Sequence, residues 1–411
     1  MSINCRLCNN KIDEAFLSLG KSPVSNAYLS KSDLNKMEPF YPLDLYVCPD
    51  CFLVQLEEFE KSQNIFNSNY AYFSSYSESW LKHCNEYVTM MINRFRFDEK
   101  SFVVEVASND GYLLQYFKEK GINVLGVEPT SNTAEVAIKK GIPTEIEFFN
   151  TEFAKQMLEQ SRQAADLIIG NNVLAHNPQL NDFVEGLKIA LNSGGVITME
   201  FPHLLKLIEK NEFDTVYHEH FSYFSFYTVQ RLFEKHDLEI FDVDEISTHG
   251  GSLRIYAKHK LDTSKKISEK IEQLLEKEKL FGLLELDTYT NFSSNVEQTK
   301  RNLLKFLIEV KEQNKTVVAY GAPAKGNTLL NYCGIRTDFI QYTVDRNPHK
   351  QNCFLPGVNI PIYNPDKIKE TKPDYVLILP WNIKDEVLEQ MKFVNEWGGK
   401  FVVPIPNLQV L

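Results

Sequence analysis

Apolar runs alternate with amphipathic stretches through the middle of the chain. Four short apolar runs, at 102–106, 124–128, 167–170 and 195–200, predict buried strands, and stretches with helical periodicity lie between them. A polar turn follows the first run, and a helix is predicted from about Leu113 onward. Because strands that alternate with helices build parallel sheets, the pattern predicts a doubly wound α/β domain.

The alternation pauses and then restarts toward the C-terminus. Residues 263–315 are rich in Lys, Glu and Leu, and the helical spacing of their apolar residues predicts a long helical connector with a solvated charged face. Three further apolar runs, at 317–320, 340–344 and 375–379, predict parallel strands. The sequence therefore predicts a second, smaller α/β domain after the connector.

Composition narrows the class of protein. The chain has 411 residues, and its 43% apolar and 12% aromatic content is sufficient for two or three packed domains. The net charge is −11 and no long basic run occurs, so we expect no nucleic-acid partner. No apolar run is long enough to span a membrane and the N-terminus lacks an apolar signal core, so we expect a cytoplasmic protein without a membrane partner. Seven cysteines do not make a disulfide scaffold.

The first 70 residues have little helical periodicity and contain two cysteine pairs, Cys5-x-x-Cys8 and Cys48-x-x-Cys51. A two-residue spacer lets both thiolates of a pair bind one ion, and two pairs complete a tetrahedral zinc site without an open position. Such a site is structural, and metal binding would supply the folding free energy that a small core cannot. The alternative is a set of unconnected buried thiols.

The turn after the first predicted strand, residues 105–111, reads Glu-Val-Ala-Ser-Asn-Asp-Gly. Its small residues let the backbone approach a nucleoside, and Glu105 could receive an amino group of a cofactor. Glu128, at the end of the next strand, suits the hydroxyls of an adenosine ribose. Ala107 and Asn109 stand where a dinucleotide fingerprint has glycines, which favours S-adenosylmethionine over NAD. The alternative is an ordinary strand–helix turn.

Two further segments concentrate polar and titratable groups. Residues 171–176 follow a predicted strand, so they point into the cleft of the sheet, although His176 is equally consistent with a structural histidine. Residues 217–223 read Tyr-His-Glu-His-Phe-Ser-Tyr, an unusual density of proton-transfer groups. Histidine titrates near neutral pH, and the ligand spacing of zinc proteases is absent, so an acid/base cluster is favoured over a metal site or a solvated loop.

Two glycine-containing segments are candidates for substrate contact. In residues 248–254, paired glycines allow a close approach, and Arg254 could hold a pyrophosphate or form a structural ion pair. Residues 320–326 follow a strand and open a helix, so small residues, a lysine and a helix N-terminus could cradle a diphosphate, with helix capping as the alternative. The candidate substrate-binding residues are Arg254, Gly321, Ala322, Lys325, Gly326 and Asn327.

These segments, in this order, resemble the sugar C-methyltransferases of deoxysugar biosynthesis. The resemblance covers nearly the whole chain, and its many separated motifs are more specific together than any one alone. Besides the two cysteine pairs, the motifs are Tyr41-Pro-Leu, Ser74-Ser-Tyr-Ser-Glu-Ser-Trp80, Ala107-Ser-Asn-Asp-Gly-Tyr-Leu113, Asn171-Asn-Val-Leu-Ala-His176, Tyr217-His-Glu-His-Phe-Ser-Tyr223, Thr248-His-Gly-Gly-Ser-Leu253, Gly321-Ala-Pro-Ala-Lys-Gly326 and Pro404-Ile-Pro406.

The resemblance implies three domains: a zinc-binding domain at 1–70, a Rossmann-like domain for S-adenosylmethionine at 71–286, and a smaller Rossmann-like α/β domain at 287–411 that binds a nucleotide sugar. The implied cofactor-binding residues are Glu105, Ala107, Ser108, Asn109, Gly111, Tyr112, Leu113, Glu128, Pro129, Asn171 and Asn172. The implied catalytic residues are the base His220 and its neighbours His176, Tyr217, Glu219 and one of Tyr72 and Tyr76.

We therefore expect methylation of a carbon in a nucleotide-linked 4-keto-6-deoxy sugar. The ketone makes the proton on C3, the favoured site, or on C5 acidic, so His220 can form an enolate that attacks the methyl group. The alternatives are an O- or N-methyltransferase on such a sugar, a zinc-ribbon adaptor, and an NAD-dependent dehydrogenase or epimerase. A monomer is the expected oligomeric state.

Overall fold

The N-terminal part consists mainly of short strands, as its lack of helical periodicity indicated. The computed structural model describes residues 2–66, 68, 72–161 and 163–411. The first elements are β1 (Ile3–Asn4), β2 (Lys11–Ile12), β3 (Leu17–Ser22), β4 (Tyr41–Val47), β5 (Val54–Leu56) and α1 (Ser62–Ile65). Strands β1 and β2 pair with each other, whereas β3, β4 and β5 are neighbours in an antiparallel sheet.

The central part alternates strands and helices. Its elements are α2 (Glu78–Phe95), β6 (Phe102–Val106), α3 (Leu114–Glu119), β7 (Asn123–Val127), α4 (Ser131–Lys139), β8 (Thr144–Glu145), α5 (Thr151–Ser161), β9 (Ala165–Asn171), α6 (Leu180–Ala190), β10 (Leu191–Pro202), α7 (Leu204–Glu209), β11 (Ser222–Tyr223), α8 (Phe226–Glu234), β12 (Leu238–Ile246) and β13 (Ser252–His259). Seven of the strands form one sheet in the order β12-β13-β10-β9-β6-β7-β8. The predicted doubly wound sheet is confirmed.

Parallel pairing explains the apolar runs of the central strands. Strands β6 to β10 of this sheet run parallel, and β13 lies antiparallel to β10 and β12. All five residues of β6 are buried, because helices cover both faces of a parallel sheet. The order of the strands reverses between β6 and β9, and a doubly wound sheet binds its ligand in the crevice at that point.

A second, smaller sheet follows two helices. The remaining elements are α9 (Lys270–Phe281), α10 (Leu286–Glu312), β14 (Val317–Tyr320), α11 (Ala324–Cys333), β15 (Thr343–Val344), β16 (Ile362–Tyr363), α12 (Lys367–Thr371), β17 (Tyr375–Ile378), α13 (Lys384–Gln390), β18 (Lys400–Val403) and β19 (Gln409–Val410). The sheet order is β16-β15-β14-β17-β18-β19, parallel except for β19, so a second crevice opens between β14 and β17. The predicted α/β class of the C-terminal part is confirmed.

The three parts are packed together rather than strung along a linker. Strand β11 belongs to the N-terminal sheet, where it pairs with β5. Apolar residues of β3 to β5 also share one core with α10 and the C-terminal sheet. The domain boundaries expected at residues 70 and 286 stay a prediction. Within the described ranges, no helix combines the length and apolar character that crossing a membrane requires.

Candidate active site

The four predicted zinc ligands lie together. Their Sγ atoms are all within 4.8 Å of one another, at 3.4 Å between Cys5 and Cys51 and 3.5 Å between Cys8 and Cys48. Four sulfurs bound to one zinc ion at about 2.3 Å would be separated by about 3.8 Å. The cluster therefore fits a tetrahedral zinc site that leaves no open position for catalysis.

The two cysteine turns have the same backbone geometry. The N–H of Asn9 donates to the carbonyl of Cys5, and the N–H of Phe52 donates to the carbonyl of Cys48, both at 2.9 Å. Asn9 and Phe52 both have left-handed φ values, 66° and 56°. Each turn therefore folds back directly after its second cysteine, which brings both thiols of the pair to one side.

The predicted cofactor loop has the backbone shape of a glycine-rich loop although two of its positions lack glycine. The φ values are 58° at Ala107, 49° at Asn109 and 75° at Gly111. The loop packs directly on β7, because a Cβ on Gly126 would overlap the Oγ of Ser108. Left-handed residues turn the backbone sharply, and a turn of this kind lets main-chain groups approach a bound nucleoside.

Buried polar groups without partners lie beside this loop. Among the described residues, no close hydrogen bond reaches either carboxylate oxygen of Glu105 or the side-chain amide of Asn171, although the Tyr112 hydroxyl and the Leu114 N–H face Glu105. Burial raises the pKa of Glu105 well above its usual range, and the nearby Tyr112 hydroxyl opposes this only partly. Buried polar groups are normally paired, so unpaired ones at a crevice indicate a ligand. A carboxylate and an amide suit the amino-acid end of S-adenosylmethionine.

Glu128 ties the cofactor loop to the end of the next strand. Its Oε2 accepts from the N–H of Asn109 and its Oε1 accepts from the N–H of Thr130, both at 2.9 Å. The predicted cofactor residues thus all lie where β6, β7 and β9 end, next to the first crevice. Their contact with a cofactor stays a prediction for Glu105, Ala107, Ser108, Asn109, Gly111, Tyr112, Leu113, Glu128, Pro129, Asn171 and Asn172.

Backbone carbonyls set the tautomers of two candidate histidines. The Nδ1 of His220 lies 3.0 Å from the carbonyl oxygen of Thr215, and the Nδ1 of His176 lies 2.7 Å from that of Glu219. A carbonyl only accepts, which assigns the proton to Nδ1 and a lone pair to Nε2 in both rings. The Tyr217 hydroxyl accordingly donates to the Nε2 of His220 at 2.8 Å.

The two imidazoles and the phenol form one buried cluster. Ring centroids are 4.7 Å apart for His176 and His220, and 4.0 Å apart for Tyr217 and His220. Burial lowers the pKa of His220 well below its usual value, and a proton on His176 would lower it further. Burial also lowers the pKa of His176 to about 4. Both rings are therefore neutral bases at physiological pH.

Glu219 belongs to the same segment but faces the N-terminal part. Its carboxylate accepts a 2.6 Å hydrogen bond from the Nδ2 of Asn26. Burial raises the pKa of Glu219 to about 7, and the bonds from Asn26 oppose that shift. The main-chain carbonyl of Glu219 therefore contacts the cluster at His176, whereas its side chain is directed to Asn26.

The two candidate tyrosines lie outside this cluster. The carbonyl of Tyr72 accepts from the Nδ2 of Asn109 at 3.2 Å, which places Tyr72 beside the cofactor loop. The hydroxyl of Tyr76 lies 3.4 Å from the Nε2 of His349, on the C-terminal part. Their side chains are 47% and 55% exposed, respectively. A catalytic role for either tyrosine stays a prediction.

The predicted diphosphate loop lies at the second crevice. Gly321 has a φ of 90°, and a Cβ there would come within 2.6 Å of Pro380, so only glycine fits without a shift. A Cβ on Gly326 is 3.0 Å from Leu379, so this glycine lets α11 pack closely on the end of β17. Asn327 donates from its Nδ2 to the carbonyl of Ser25 at 2.5 Å, a contact with the N-terminal part.

Lys325 lies between the second crevice and residues 217–223, which we call the catalytic segment. Its Nζ donates to Asn382 at 2.9 Å and lies 4.4 Å from the ring of Trp381. The Nε1 of Trp381 donates to Asp214 at 2.8 Å, and Asp214 adjoins the residue whose carbonyl orients His220. Burial lowers the pKa of Lys325, and the carboxylate of Asp214 opposes this shift. The lysine charge is one of the causes that lower the pKa of His220.

Arg254 forms the ion pair that the sequence left open as an alternative. Its Nε and Nη2 lie 2.6 and 2.5 Å from the Oε1 of Glu200, and its guanidinium lies 4.7 Å from the ring centroid of Tyr87. Burial acts to lower the pKa of Arg254, but Glu200 raises it above the usual value. His83 contacts the other oxygen of Glu200 at 3.0 Å. Substrate binding by Arg254 stays a prediction.

The structure adds polar residues that sequence reasoning missed. Asp345 accepts from the N–H of Ala322 at 2.8 Å, as Glu128 accepts from its own loop. Asp345 directly follows a predicted strand, so the position of Glu128 was a usable signal. Asn26 and Tyr28 offered no such signal, because they lie in an irregular segment far from the catalytic residues in sequence.

Comparison with known proteins identifies the class. The family model of a methyltransferase domain matches residues 80–243, that of a C-methyltransferase C-terminal domain matches 247–406, and that of a zinc binding domain matches 5–66. The C-methyltransferase NovU of Streptomyces niveus is 33% identical over 407 residues, which cover 99% of this chain and 96% of that protein.

Solved structures of methyltransferases match less than half of the chain. A magnesium protoporphyrin IX methyltransferase from Synechocystis is 13% identical over 43% of this chain and 78% of its own, with a TM-score of 0.33. A methyltransferase from Anabaena variabilis is 17% identical over 42% and 83%, with a TM-score of 0.35. No conclusion rests on these two likenesses. The 33% sequence identity with NovU extends over nearly the full length of both chains and decides the family. This chain belongs to the S-adenosylmethionine-dependent C-methyltransferases.

Proposed function

We propose that the protein methylates a carbon next to the ketone of a nucleotide-linked 4-keto-6-deoxy sugar, with C3 favoured over C5, and that His220 is the base. The observation that carries the proposal is the buried, neutral His220, whose Nε2 holds a lone pair beside a phenol and a second imidazole. Such a group can remove a proton from carbon once a neighbouring ketone has made that proton acidic.

The tautomers support the following roles in the first step. His220 takes the proton on its Nε2, and the electrons of the broken C–H bond form an enolate of the sugar. Before this transfer the Tyr217 hydroxyl, which donates to Nε2 in the structure, turns toward the ketone oxygen, so that the lone pair of Nε2 can take the proton and a donor faces the enolate oxygen. His176 carries its proton on Nδ1, where the Glu219 carbonyl holds it, and so cannot donate from Nε2 while neutral.

Bound S-adenosylmethionine supplies the electrophilic methyl group in the second step. The enolate carbon would form a bond to that methyl group as the carbon–sulfur bond of the cofactor breaks, a step that needs no metal. The residues at the first crevice hold one reactant and those at the second crevice hold the other, which supplies the orientation that the reaction needs. Lys325 and the N-terminus of α11 give the second crevice groups suited to an anionic nucleotide.

Family membership argues against the O-methyl, N-methyl, adaptor and NAD-dependent alternatives. The zinc cluster, with four thiols and no open position, fits a structural ion.

The test is incubation of the protein with S-adenosylmethionine and a panel of nucleotide 4-keto-6-deoxy sugars in deuterated water. Mass spectrometry and NMR of the products should show a new methyl group on carbon. A methyl group on oxygen or nitrogen would overturn the enolate step. If no sugar of the panel gains a methyl group and none takes up deuterium at C3 or C5, the proposed substrate class is overturned.

A further inference from the structure

A segment of the N-terminal part reaches the catalytic residues. The backbone N–H of Asn26 donates to the Oε1 of Glu219 at 3.3 Å, and its Nδ2 donates to the Oε2 at 2.6 Å. One residue thus holds both oxygens of a carboxylate that is only 1% exposed. A buried carboxylate needs such donors, because without them its ionised form is strongly disfavoured.

The same segment also contacts the loop at the second crevice. The hydroxyl of Tyr28 donates to the carbonyl of Ala322 at 2.6 Å and lies 3.2 Å from the Oδ1 of Asn26. The Nζ of Lys350 donates to that same carbonyl at 2.9 Å. Residues 26–28 therefore connect the catalytic segment with the loop that we expect to hold the nucleotide.

The Glu219 main chain transmits the effect of Asn26 to an imidazole. The carbonyl of Glu219 accepts from the Nδ1 of His176 at 2.7 Å, and this bond fixes both the tautomer and the plane of that ring. A Glu219 side chain that is fixed at both oxygens leaves the carbonyl of the same residue little freedom to turn away.

We infer that Asn26 is a positioning residue of the active site, which holds the Glu219 side chain and, through the Glu219 carbonyl, the orientation of His176. The inference rests on the proposed function and deepens it. The N-terminal part then contributes to the positioning of the catalytic residues, by a contact that does not involve the zinc ligands.

The groups that face Glu219 set the sign of the expected pH effect. Burial raises the pKa of Glu219 to about 7, while the hydrogen bonds of Asn26 and the charge of Lys350 lower it. Tyr28 and Tyr223 also lie close enough for their pKa values to respond to Glu219. Removal of the Asn26 amide should therefore raise the pKa of Glu219 and move any activity limb that depends on its carboxylate to higher pH.

The first variant is Asn26→Leu, which keeps the size of the side chain and removes the donor. We expect kcat to fall by about tenfold to a hundredfold, as for loss of a buried hydrogen bond to a charged group, with a smaller change in KM. The acid limb of kcat should move to higher pH. The matched control is Asn181→Leu, since the Nδ2 of Asn181 also ties the N-terminal part to the central one, at 2.8 Å to the carbonyl of Arg6, away from the catalytic cluster.

A double-mutant cycle separates positioning from a general loss of stability. In a Glu219→Leu background, which leaves Asn26 no acceptor, Asn26→Leu should lower kcat by less than about twofold, because the two residues act as one unit. Equal losses in both backgrounds, or an unchanged kcat and pH profile in Asn26→Leu, would overturn the inference. If Asn26→Leu does not fold, Asn26→Asp is the deciding variant. Two facing carboxylates should raise the pKa of Glu219 and move the acid limb of kcat further to higher pH. An acid limb that does not move would overturn the inference.

An infrared titration keeps this inference separable from the proposed function. The protonated carboxyl band of Glu219, identified by its absence in Glu219→Gln, should titrate at higher pH in Asn26→Leu than in the wild type, with no sugar present. If the band shifts but the wild type makes no C-methyl product, the proposed function fails and the contact of Asn26 with Glu219 stands. If product forms and neither the band nor the limb shifts, the role of Asn26 fails alone.

Discussion

The assignment of Nε2 as the reactive atom of His220 makes a sharp prediction at the scale of a residue. His220→Asn removes the base but keeps a polar side chain in a buried place. We expect formation of the C-methyl product to fall by at least about a hundredfold, because proton transfer from carbon depends on a positioned base. Calorimetry should show that S-adenosylmethionine still binds.

The control for this variant lies two residues away. The Nε2 of His218 lies 3.0 Å from the carbonyl of Pro42, so this histidine serves the contact with the N-terminal part. His218→Asn should keep turnover within about threefold of the wild type, as expected for a residue outside the chemistry. Equal activity of His220→Asn and His218→Asn would remove His220 from the role of base.

The charge of Lys325 predicts the position of the step that His220 adds to the acid limb of activity, at lower pH than the step of Glu219. A nearby ammonium disfavours a second positive charge on His220, and the pKa of His220 is lowered partly for that reason. In Lys325→Met this pKa rises toward its usual value, so the His220 step in the fall of kcat/KM should move to higher pH than in the wild type. Lys325→Arg keeps the charge and should keep the limb. A limb that stays unmoved in Lys325→Met would show that the charge does not reach His220.

At the scale of an element, the cofactor loop depends on its contact with β7. In Gly126→Ala the added methyl group would overlap the Oγ of Ser108, so the loop must move away from the strand. We expect the affinity for S-adenosylmethionine, measured by calorimetry, to fall by about tenfold or more, equivalent to about 1.4 kcal/mol. Gly194→Ala is the matched control, because a Cβ there meets nothing within 4 Å. Equal affinities of the two variants would contradict the role of this contact.

The two cysteine turns act as one element through the metal. Elemental analysis should give one zinc ion per chain, and Cys48→Ser should lose it together with much of the stability of the N-terminal part, since structural zinc contributes about 10 kcal/mol or more. Turnover should fall as well, because β5 pairs with β11, which forms the end of the catalytic segment 217–223. Cys353→Ser, a half-buried thiol outside the cluster, should keep its zinc. Retained zinc in Cys48→Ser would contradict the four-thiol site.

The strands and their crevices were predictable because each leaves a local signal. Apolar runs marked β6, β7 and β9, and polar residues at their ends, such as Glu105 and Asn171, marked the first crevice. No sequence signal indicated the left-handed backbone at Ala107 and Asn109, since neither residue is glycine. A local pattern reports propensity, and these two conformations are imposed by the contacts of the folded loop.

Contacts between distant segments were the part that sequence could not give. The pairing of β11 with β5 and the reach of Asn26 to Glu219 join residues more than a hundred positions apart. No periodicity encodes such contacts, because they arise only when all three parts pack together. The ion pair of Arg254 with Glu200 is similar: the sequence left its role open, and the pairing of β10 with β13 places the two side chains opposite each other.

At the scale of the whole molecule, the buried Asp214 makes the packing of the parts sensitive to pH. Its carboxylate accepts from Trp381 of the C-terminal part, and burial raises its pKa from 3.8 to about 7. Between these two pH values the folded state binds more protons than the unfolded state, so the free energy of unfolding falls as pH rises from about 4 to about 7. The loss due to Asp214 is at most about 4 kcal/mol.

Asp214→Asn should remove this part of the pH dependence while its amide oxygen still accepts from Trp381. Thermal unfolding should therefore show a variant that is more stable than the wild type at pH 8 and that loses this advantage near pH 4. Part of the decline should remain, because burial also raises the pKa of Glu212 to about 8. Asp338→Asn, an exposed carboxylate, should follow the wild type at every pH. Parallel curves for Asp214→Asn and the wild type would mean that Asp214 is ionised in the folded protein throughout this range, with Lys325 as the compensating charge.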